Sequence, residues 1–180
     1  LNKPVLAKDG KTVKSGYGLI QPAVGLDIES ANNIFGNWDY VSHQVIASPF
    51  KPIDYMDKMD IFGYRYITGY NTISKYLMME IKKDSADIEV INQAMEYVDW
   101  IKQEYSHDYN MIEAFIIASD FSQEVIDKRN DEAKRYYTVG RSPANTYEWI
   151  NLRLIQYRYN SYLNILEFVE IAPILREEGL

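Results

Sequence analysis

The sequence contains no cysteine, and this absence excludes two kinds of stabilising site. Without thiols the chain forms neither a disulfide framework nor a thiolate metal site such as a zinc ribbon. Histidine is also scarce: His43 and His107 are the only two, and no spacing around them supports a zinc site or a catalytic triad. We therefore expect structural roles for both histidines.

Long apolar runs are missing as well. The longest, such as AFIIA at residues 114–118, are far too short to cross a bilayer, and the polar N-terminus lacks the apolar core of a signal peptide. The sequence therefore predicts a cytoplasmic protein that does not bind membranes. Because the chain begins at Leu1 rather than Met, one expectation is that further domains lie outside this sequence. A homodimer is the other expected assembly.

Basic residues are too few for a broad basic surface. The 19 Lys and Arg are outnumbered by 26 Asp and Glu, which gives a net charge of −7. This balance disfavours a protein that holds nucleic acid through such a surface. It does not disfavour an enzyme with an acidic site, because bound divalent cations then supply the positive charge that phosphates meet.

The chain does have enough apolar material for one core, since 47% of its 180 residues are hydrophobic. No linker or repeat divides it, so we expect a single domain. Residues 1–37 are expected to form a turn-rich segment with a short helix, packed on an α/β domain formed by residues 38–180. Alternating and continuous apolar stretches predict strands at 38–47, 55–67, 72–83, 111–119, 147–159 and 162–172.

Helices are predicted between these strands. Residues 87–105 space apolar side chains at helical intervals, and a second, charged helix begins at Ser122 and ends near Gly140. The order strand, helix, strand over residues 72–119 implies a right-handed crossover between parallel strands. The predicted fold class is therefore α/β, a mixed central sheet flanked by helices, with the last two strands forming a hairpin at the sheet edge.

A triplet of an acidic residue, any residue and lysine occurs at 9–11, 80–82 and 132–134, against roughly two matches expected by chance. The first occurrence lies in a turn and the last on a solvated helix. Only Glu80 and Lys82 close a strand that is apolar on both faces. Since residues two apart on a strand share a face, their side chains emerge together. The alternative interpretation is a simple charge pair at a strand end.

Asp60 lies at the centre of the preceding strand, so a hairpin would bring it beside Glu80. Two carboxylates and an amine would then converge at one partly buried point, where like charges raise each other's pKa unless a cation lies between them. These hard oxygen ligands suit Mg²⁺ or Mn²⁺, with the Ile81 carbonyl as a further ligand. Lys82 would position or deprotonate an attacking water, or neutralise charge on a phosphate.

Three segments, MDIFG, LMMEIKK and INQAMEYVDW, resemble the PD-(D/E)xK nuclease superfamily, and within it the RecB-like and archaeal mismatch-endonuclease-like group. The resemblance covers residues 38–121 and implies a restriction-endonuclease-like core with a metal-dependent nuclease site. It implies catalytic roles for Asp60, Glu80, Lys82 and Gln93, and a substrate contact for Tyr97. From the residues alone, a polar helix position and a tyrosine at the rim of the core remain the alternatives for the last two.

The sequence departs from the pattern of this superfamily at two points. Met59 stands where the proline of the name would lie. The family's upstream helix offers a further glutamate, for which Glu29 is the candidate as a metal ligand. A solvent-exposed Glu near a helix start is the alternative, because the helix dipole favours an acid there.

The one local concentration of basic residues follows the motif, and we expect it to contact phosphates. The candidates for substrate binding are Lys128, Arg129 and Arg135. The alternative is a helix surface on which these residues alternate with acids.

These observations predict a Mg²⁺- or Mn²⁺-dependent deoxyribonuclease that hydrolyses DNA with water as the nucleophile, more readily as an endonuclease than as an exonuclease. A role in repair, restriction or phage defence is expected. The resemblance alone implies 5′-phosphate and 3′-hydroxyl products. The alternatives are a catalytically inactive nuclease-fold module that binds nucleic acid or a protein, and an α/β interaction domain in which the triplet is accidental.

Overall fold

A computed structural model describes residues 34–47, 58–163 and 165–173 of the chain. Within these ranges the strands of the main sheet are β1 (Tyr40–Ile46), β2 (Lys58–Tyr66), β3 (Ile73–Ile81), β5 (Ile112–Ala118), β9 (Leu152–Asn160) and β10 (Ile165–Ile171). The remaining elements are the short strands β4 (Ser85–Ala86) and β6 (Asp120–Phe121), the ribbon strands β7 (Arg135–Val139) and β8 (Asn145–Trp149), and the helices α1 (Glu89–Glu104) and α2 (Gln123–Glu132).

The main sheet has the spatial order β1-β2-β3-β5-β9-β10. The neighbouring strands β1, β2 and β3 are antiparallel to one another. The next strands, β5 and β9, run parallel to β3. At the edge of the sheet, β10 returns antiparallel to β9. Helix α1 connects β3 to the parallel β5. The predicted mixed α/β sheet, the parallel pairing of the two strands that α1 connects, and the edge hairpin are therefore confirmed.

Both faces of the sheet are apolar, which explains why β3 reads as an almost unbroken apolar run. One face packs against the helices, with Met78 and Ile116 of the sheet in the same buried cluster as Ile91 and Val98 of α1. On the other face, Leu77, Met79, Phe115 and Ile117 form a second cluster together with Phe35. The side chain of Glu80 belongs to the helix-covered face because it alternates with Met79 and Ile81.

Two sequence predictions are wrong downstream of β6. Helix α2 begins as predicted, with Ser122 Oγ accepting from the amide of Val125 at 3.4 Å, but it ends at Glu132 and not near Gly140. Its predicted last turns form β7, which pairs with β8 in a separate two-stranded ribbon. The single strand predicted over 147–159 is consequently two strands, β8 and β9.

Tertiary contacts explain this difference. Trp149 at the end of β8 is 2% exposed, and its Nε1 donates to the carbonyl of Ile112 at 3.0 Å. Arg135 at the start of β7 donates to both carboxylate oxygens of Asp99 on α1 at 2.8 and 2.7 Å. Because Arg135 pairs with Trp149, these anchors fix both strands at one end of the ribbon against the main body, which local helix propensity does not reveal.

Of the predicted N-terminal segment, residues 1–33 lie outside the described residues, and the boundary at residue 37 stays a prediction. Within the described residues, Phe35 is 1% exposed and makes edge contacts with Phe115 and Phe168, at centroid distances of 5.5 and 5.1 Å. In the part of the chain that the structure describes, neither α1 nor any other helix has the length and apolar character needed to cross a membrane.

Candidate active site

The register of β2 and β3 brings the two predicted acids together. Ile61 pairs with Met79 in this antiparallel hairpin, so Asp60 lies opposite Glu80 at the next position. Glu80 is only 4% exposed. Burial, and after it the charge of Asp60, raises the pKa of Glu80 from 4.5 to about 7, against the lowering effect of Lys82. The predicted convergence of Asp60 and Glu80 is therefore present.

The carboxylate of Asp60 is held by the main chain of the neighbouring strand. Its Oδ2 accepts from the amide of Ile81 at 2.8 Å. Burial raises the pKa of Asp60, and the hydrogen bond from Ile81, the charge of Lys82 and a contact from Gln44 partly oppose this rise. The Ile81 amide therefore fixes the orientation of the half-buried Asp60 carboxylate through Oδ2, while Oδ1 lies on the more exposed side, beside Gln44.

Lys82 begins a chain of hydrogen bonds that runs onto α1. Its Nζ donates to Glu80 Oε1 and to Gln93 Oε1, both at 3.0 Å. Gln93 Nε2 donates to the hydroxyl of Tyr97 at 2.9 Å, and that hydroxyl donates to the carbonyl of Lys58 at 3.1 Å. Gln93 and Tyr97 are four residues apart on one face of α1, so the helix presents both toward the end of β3.

The corner formed by Asp60, Glu80 and Lys82 is open on one side. The Lys82 side chain is 29% exposed, whereas that of Glu80 is 5% exposed. A solute can therefore approach the amine while the glutamate stays largely desolvated. We call these three residues the catalytic corner below.

The donor set at the catalytic corner fits a hard divalent cation. Glu80 Oε2 is a buried oxygen with no hydrogen-bond partner among the described residues, and a buried carboxylate oxygen without a partner is energetically unfavourable unless a cation meets it. Asp60 and the predicted Ile81 carbonyl add oxygen ligands of the type that Mg²⁺ and Mn²⁺ prefer. The described residues hold no group of three or more His, Cys, Asp or Glu side chains placed to bind a metal. The predicted ligand Glu29 lies outside the described residues.

Burial contradicts the predicted substrate contact of Arg129, whereas that of Arg135 stays a prediction. Arg129 is 1% exposed, and its guanidinium donates to Asn130 Oδ1 and to the carbonyls of Leu152 and Ala172. Arg135 is partly exposed and forms an ion pair with Asp99 at 2.7 Å. Burial therefore removes Arg129 from contact with a substrate.

The predicted phosphate contact of Lys128 stays a prediction, whereas burial contradicts the predicted substrate contact of Tyr97. Lys128 forms an ion pair with Glu132 at 3.2 Å, one turn away on α2. This is the helix-surface arrangement that was the alternative interpretation. Tyr97 is 2% exposed and its hydroxyl lies between Gln93 and Lys58, so it orients Gln93 rather than contacting a substrate at the surface.

One neighbour of the site was not predicted. Gln44 in β1 lies opposite Asp60, since His43 pairs with Ile61 and Val45 with Met59, and its Nε2 approaches Asp60 Oδ1 at 3.4 Å. Sequence patterns could not identify it, because the connection from β1 to β2 has no turn signal that fixes the register of these strands.

Comparisons with known proteins give a consistent but partial likeness. No family model matches the chain. It is 28% identical over 111 residues to Endonuclease NucS of Pyrococcus abyssi, an alignment that covers 62% of this chain and 42% of the relative. It is 31% identical over 84 residues to Endonuclease NucS of Methanocaldococcus jannaschii, covering 47% and 30%. The chain thus spans less than half the length of these curated relatives.

One solved structure also matches, the crystal structure of a repair endonuclease from Pyrococcus abyssi. The TM-score is 0.40 at 20% sequence identity, over 61% of this chain and 42% of that chain.

Proposed function

We propose, from the sequence likeness to archaeal NucS endonucleases together with the catalytic corner, that this chain is a nuclease domain of the PD-(D/E)xK type. It hydrolyses DNA phosphodiester bonds, and it cuts as an endonuclease in a repair, restriction or phage-defence setting. The observation that carries the proposal is the meeting of Asp60, Glu80 and Lys82 at one partly open point of the sheet.

Asp60, Glu80 and the Ile81 carbonyl would hold a Mg²⁺ or Mn²⁺ ion. A cation bound there supplies Lewis-acid activation of water and neutralises charge on the phosphate. The two carboxylates are prepared for this task by their burial, because a desolvated pair of acids gains more from a cation than a solvated pair does. The acidic net charge of the chain is then no obstacle to binding DNA.

Lys82 acts on the reacting groups directly. Its Nζ donates hydrogen bonds to the scissile phosphate, or it positions or deprotonates the attacking water. Gln93 accepts from the same Nζ at 3.0 Å and so limits its orientation. Tyr97 in turn fixes the amide of Gln93. The chain of contacts from Lys58 to Lys82 therefore holds the amine in one position before the substrate arrives.

A cleavage assay tests the proposal. Linear, circular, mismatched and branched DNA, with single-stranded RNA as a further substrate, would be incubated with Mg²⁺ or Mn²⁺ and in parallel with EDTA. We expect cleavage of DNA that depends on the cation and leaves 5′-phosphate ends. If the protein binds DNA but cuts no substrate with either metal, the alternative of an inactive nuclease-fold module takes its place.

Tyr97→Phe is expected to lower the cleavage rate several-fold, because Gln93 loses the acceptor that orients it. The free energy of unfolding should fall by about 2 kcal/mol, because the hydroxyl makes two hydrogen bonds and each usually contributes about 1 kcal/mol. Urea denaturation and cleavage kinetics would be measured on the same preparation.

Tyr76→Phe is the matched control for this change. Tyr76 is also buried, and its hydroxyl donates to the carbonyl of Tyr105 at 3.0 Å, away from the catalytic corner. This variant removes one hydrogen bond, so it should lose about 1 kcal/mol of stability and cleave at the wild-type rate. Equal rates for both variants would show that the Tyr97 hydroxyl does not act on the reaction.

A further inference from the structure

The backbone of Gln44 has a conformation that is unusual for its residue type. Its φ is 53°, in the left-handed region, although Gln44 has a Cβ and lies inside strand β1. Residues other than glycine seldom adopt this conformation, because the Cβ approaches a carbonyl oxygen. Strained backbone of this kind persists where the surrounding structure requires it and is concentrated at functional sites.

The left-handed residue changes the direction in which β1 side chains point. Val41 packs against the buried cluster on the sheet face opposite the helices, whereas Val45 packs against the cluster on the helix-covered face. In a regular strand two residues four apart share a face. The alternation of β1 therefore reverses between these valines, at or near Gln44.

The alternation of side chains along the partner strand β2 reverses at the same place. Ile61 belongs to the cluster on the face opposite the helices, and Met59 belongs to the cluster on the helix-covered face. In a regular strand these two residues would share a face, because they are two positions apart. Asp60 lies between them, opposite Gln44. The two distortions thus coincide at the pair that contains one of the proposed metal ligands.

The Gln44 side chain and the Ile81 amide together hold the two oxygens of Asp60. Gln44 Nε2 approaches Oδ1 at 3.4 Å, and the Ile81 amide donates to Oδ2 at 2.8 Å. Glycine would adopt the same backbone without strain but would bring no amide. We infer that Gln44 is a positioning residue, which sets the orientation of Asp60 for cation binding at the catalytic corner. This inference rests on the proposed function and names a residue within that site.

Gln44→Gly separates a positioning role from a structural one. Because glycine relieves the left-handed strain, this variant should unfold at the wild-type temperature or above. Loss of the amide should nevertheless weaken Mn²⁺ binding, followed by calorimetry, and lower kcat for DNA cleavage, each by about 10- to 100-fold, the range found when partners of metal ligands are removed. KM should stay unchanged. Gln44→Asn, which tolerates the backbone and keeps an amide, should recover part of both losses.

Ser42→Gly is the control, since Ser42 lies two residues earlier in β1 and pairs with Phe62. Glycine there weakens a regular strand, so the unfolding temperature should fall while Mn²⁺ affinity and kcat stay at wild-type values. Wild-type Mn²⁺ affinity and cleavage in Gln44→Gly, or a lower unfolding temperature with unchanged affinity, would overturn the inference. If wild type binds Mn²⁺ but cuts no DNA, the proposed function fails, and weaker Mn²⁺ binding by Gln44→Gly still supports the positioning role. Absence of Mn²⁺ binding by wild type would overturn both.

Discussion

Lys82→Ala is expected to lower the rate of metal-dependent DNA cleavage by about 10²- to 10⁴-fold, the usual contribution of a positioned acid or base. Among the described residues, Lys82 is the only basic side chain with a hydrogen bond to Glu80. Its Nζ donates to Glu80 and to Gln93, both at 3.0 Å. Single-turnover cleavage, with the enzyme in saturating excess over DNA and with saturating Mg²⁺, isolates the chemical step from substrate binding. The fall should therefore appear in the single-turnover rate constant.

Lys83→Ala is the matched control for that experiment. Lys83 is the next residue and is exposed, so the variant removes the same charge from the neighbouring position without removing the hydrogen bond to Glu80. Its cleavage rate should remain within about twofold of wild type, as for most surface changes. Because loss of Lys82 leaves Glu80 buried without its partner, circular dichroism at the assay temperature must first show that Lys82→Ala is folded. Equal rates for folded Lys82→Ala and wild type would remove the support for a nuclease.

The catalytic corner could be predicted because its geometry is local. A spacing of two on a strand puts Glu80 and Lys82 on one face, and a short turn between β2 and β3 limits the register that brings Asp60 beside them. Gln93 and Tyr97 followed from the spacing of four on α1 and from the family resemblance. These relations are set by neighbouring elements, so no long-range information was needed.

The errors concern residues whose surroundings come from distant parts of the chain. Arg129 on α2 is buried against carbonyls of Leu152 and Ala172, more than twenty positions further along, and nothing in its charged local segment indicates burial. Residues 135–139 have helix-compatible neighbours, but their pairing with β8 decides their structure. The position of Gln44 beside Asp60 depends on the register of β1 and β2, which the sequence of their connection does not specify. Tertiary pairing overrides local propensity in each case.

Glu80→Gln is expected to stabilise the metal-free protein at pH 8 while it abolishes cleavage. The pKa of Glu80 is raised from 4.5 to about 7, first by burial and then by the charge of Asp60. Between these values the folded state binds a proton that the unfolded state has lost, so stability falls as pH rises through this window. The whole shift corresponds to about 3 kcal/mol, and glutamine, which stays neutral, avoids this loss.

Urea denaturation in EDTA at pH 4.5, 6 and 8 measures this effect as a difference between the two proteins. The unfolding free energies should be similar at pH 4.5, and Glu80→Gln should gain on wild type by about 3 kcal/mol at pH 8. Saturating Mg²⁺ at pH 8 should reverse the order, because the cation binds the ionised carboxylate of the folded wild type and stabilises it by mass action. If Glu80→Gln is instead the less stable protein at pH 8 without metal, the ion pair with Lys82 outweighs the burial of the charge. The carboxylate would then be held by a structural pair, and its burial would no longer point to a cation.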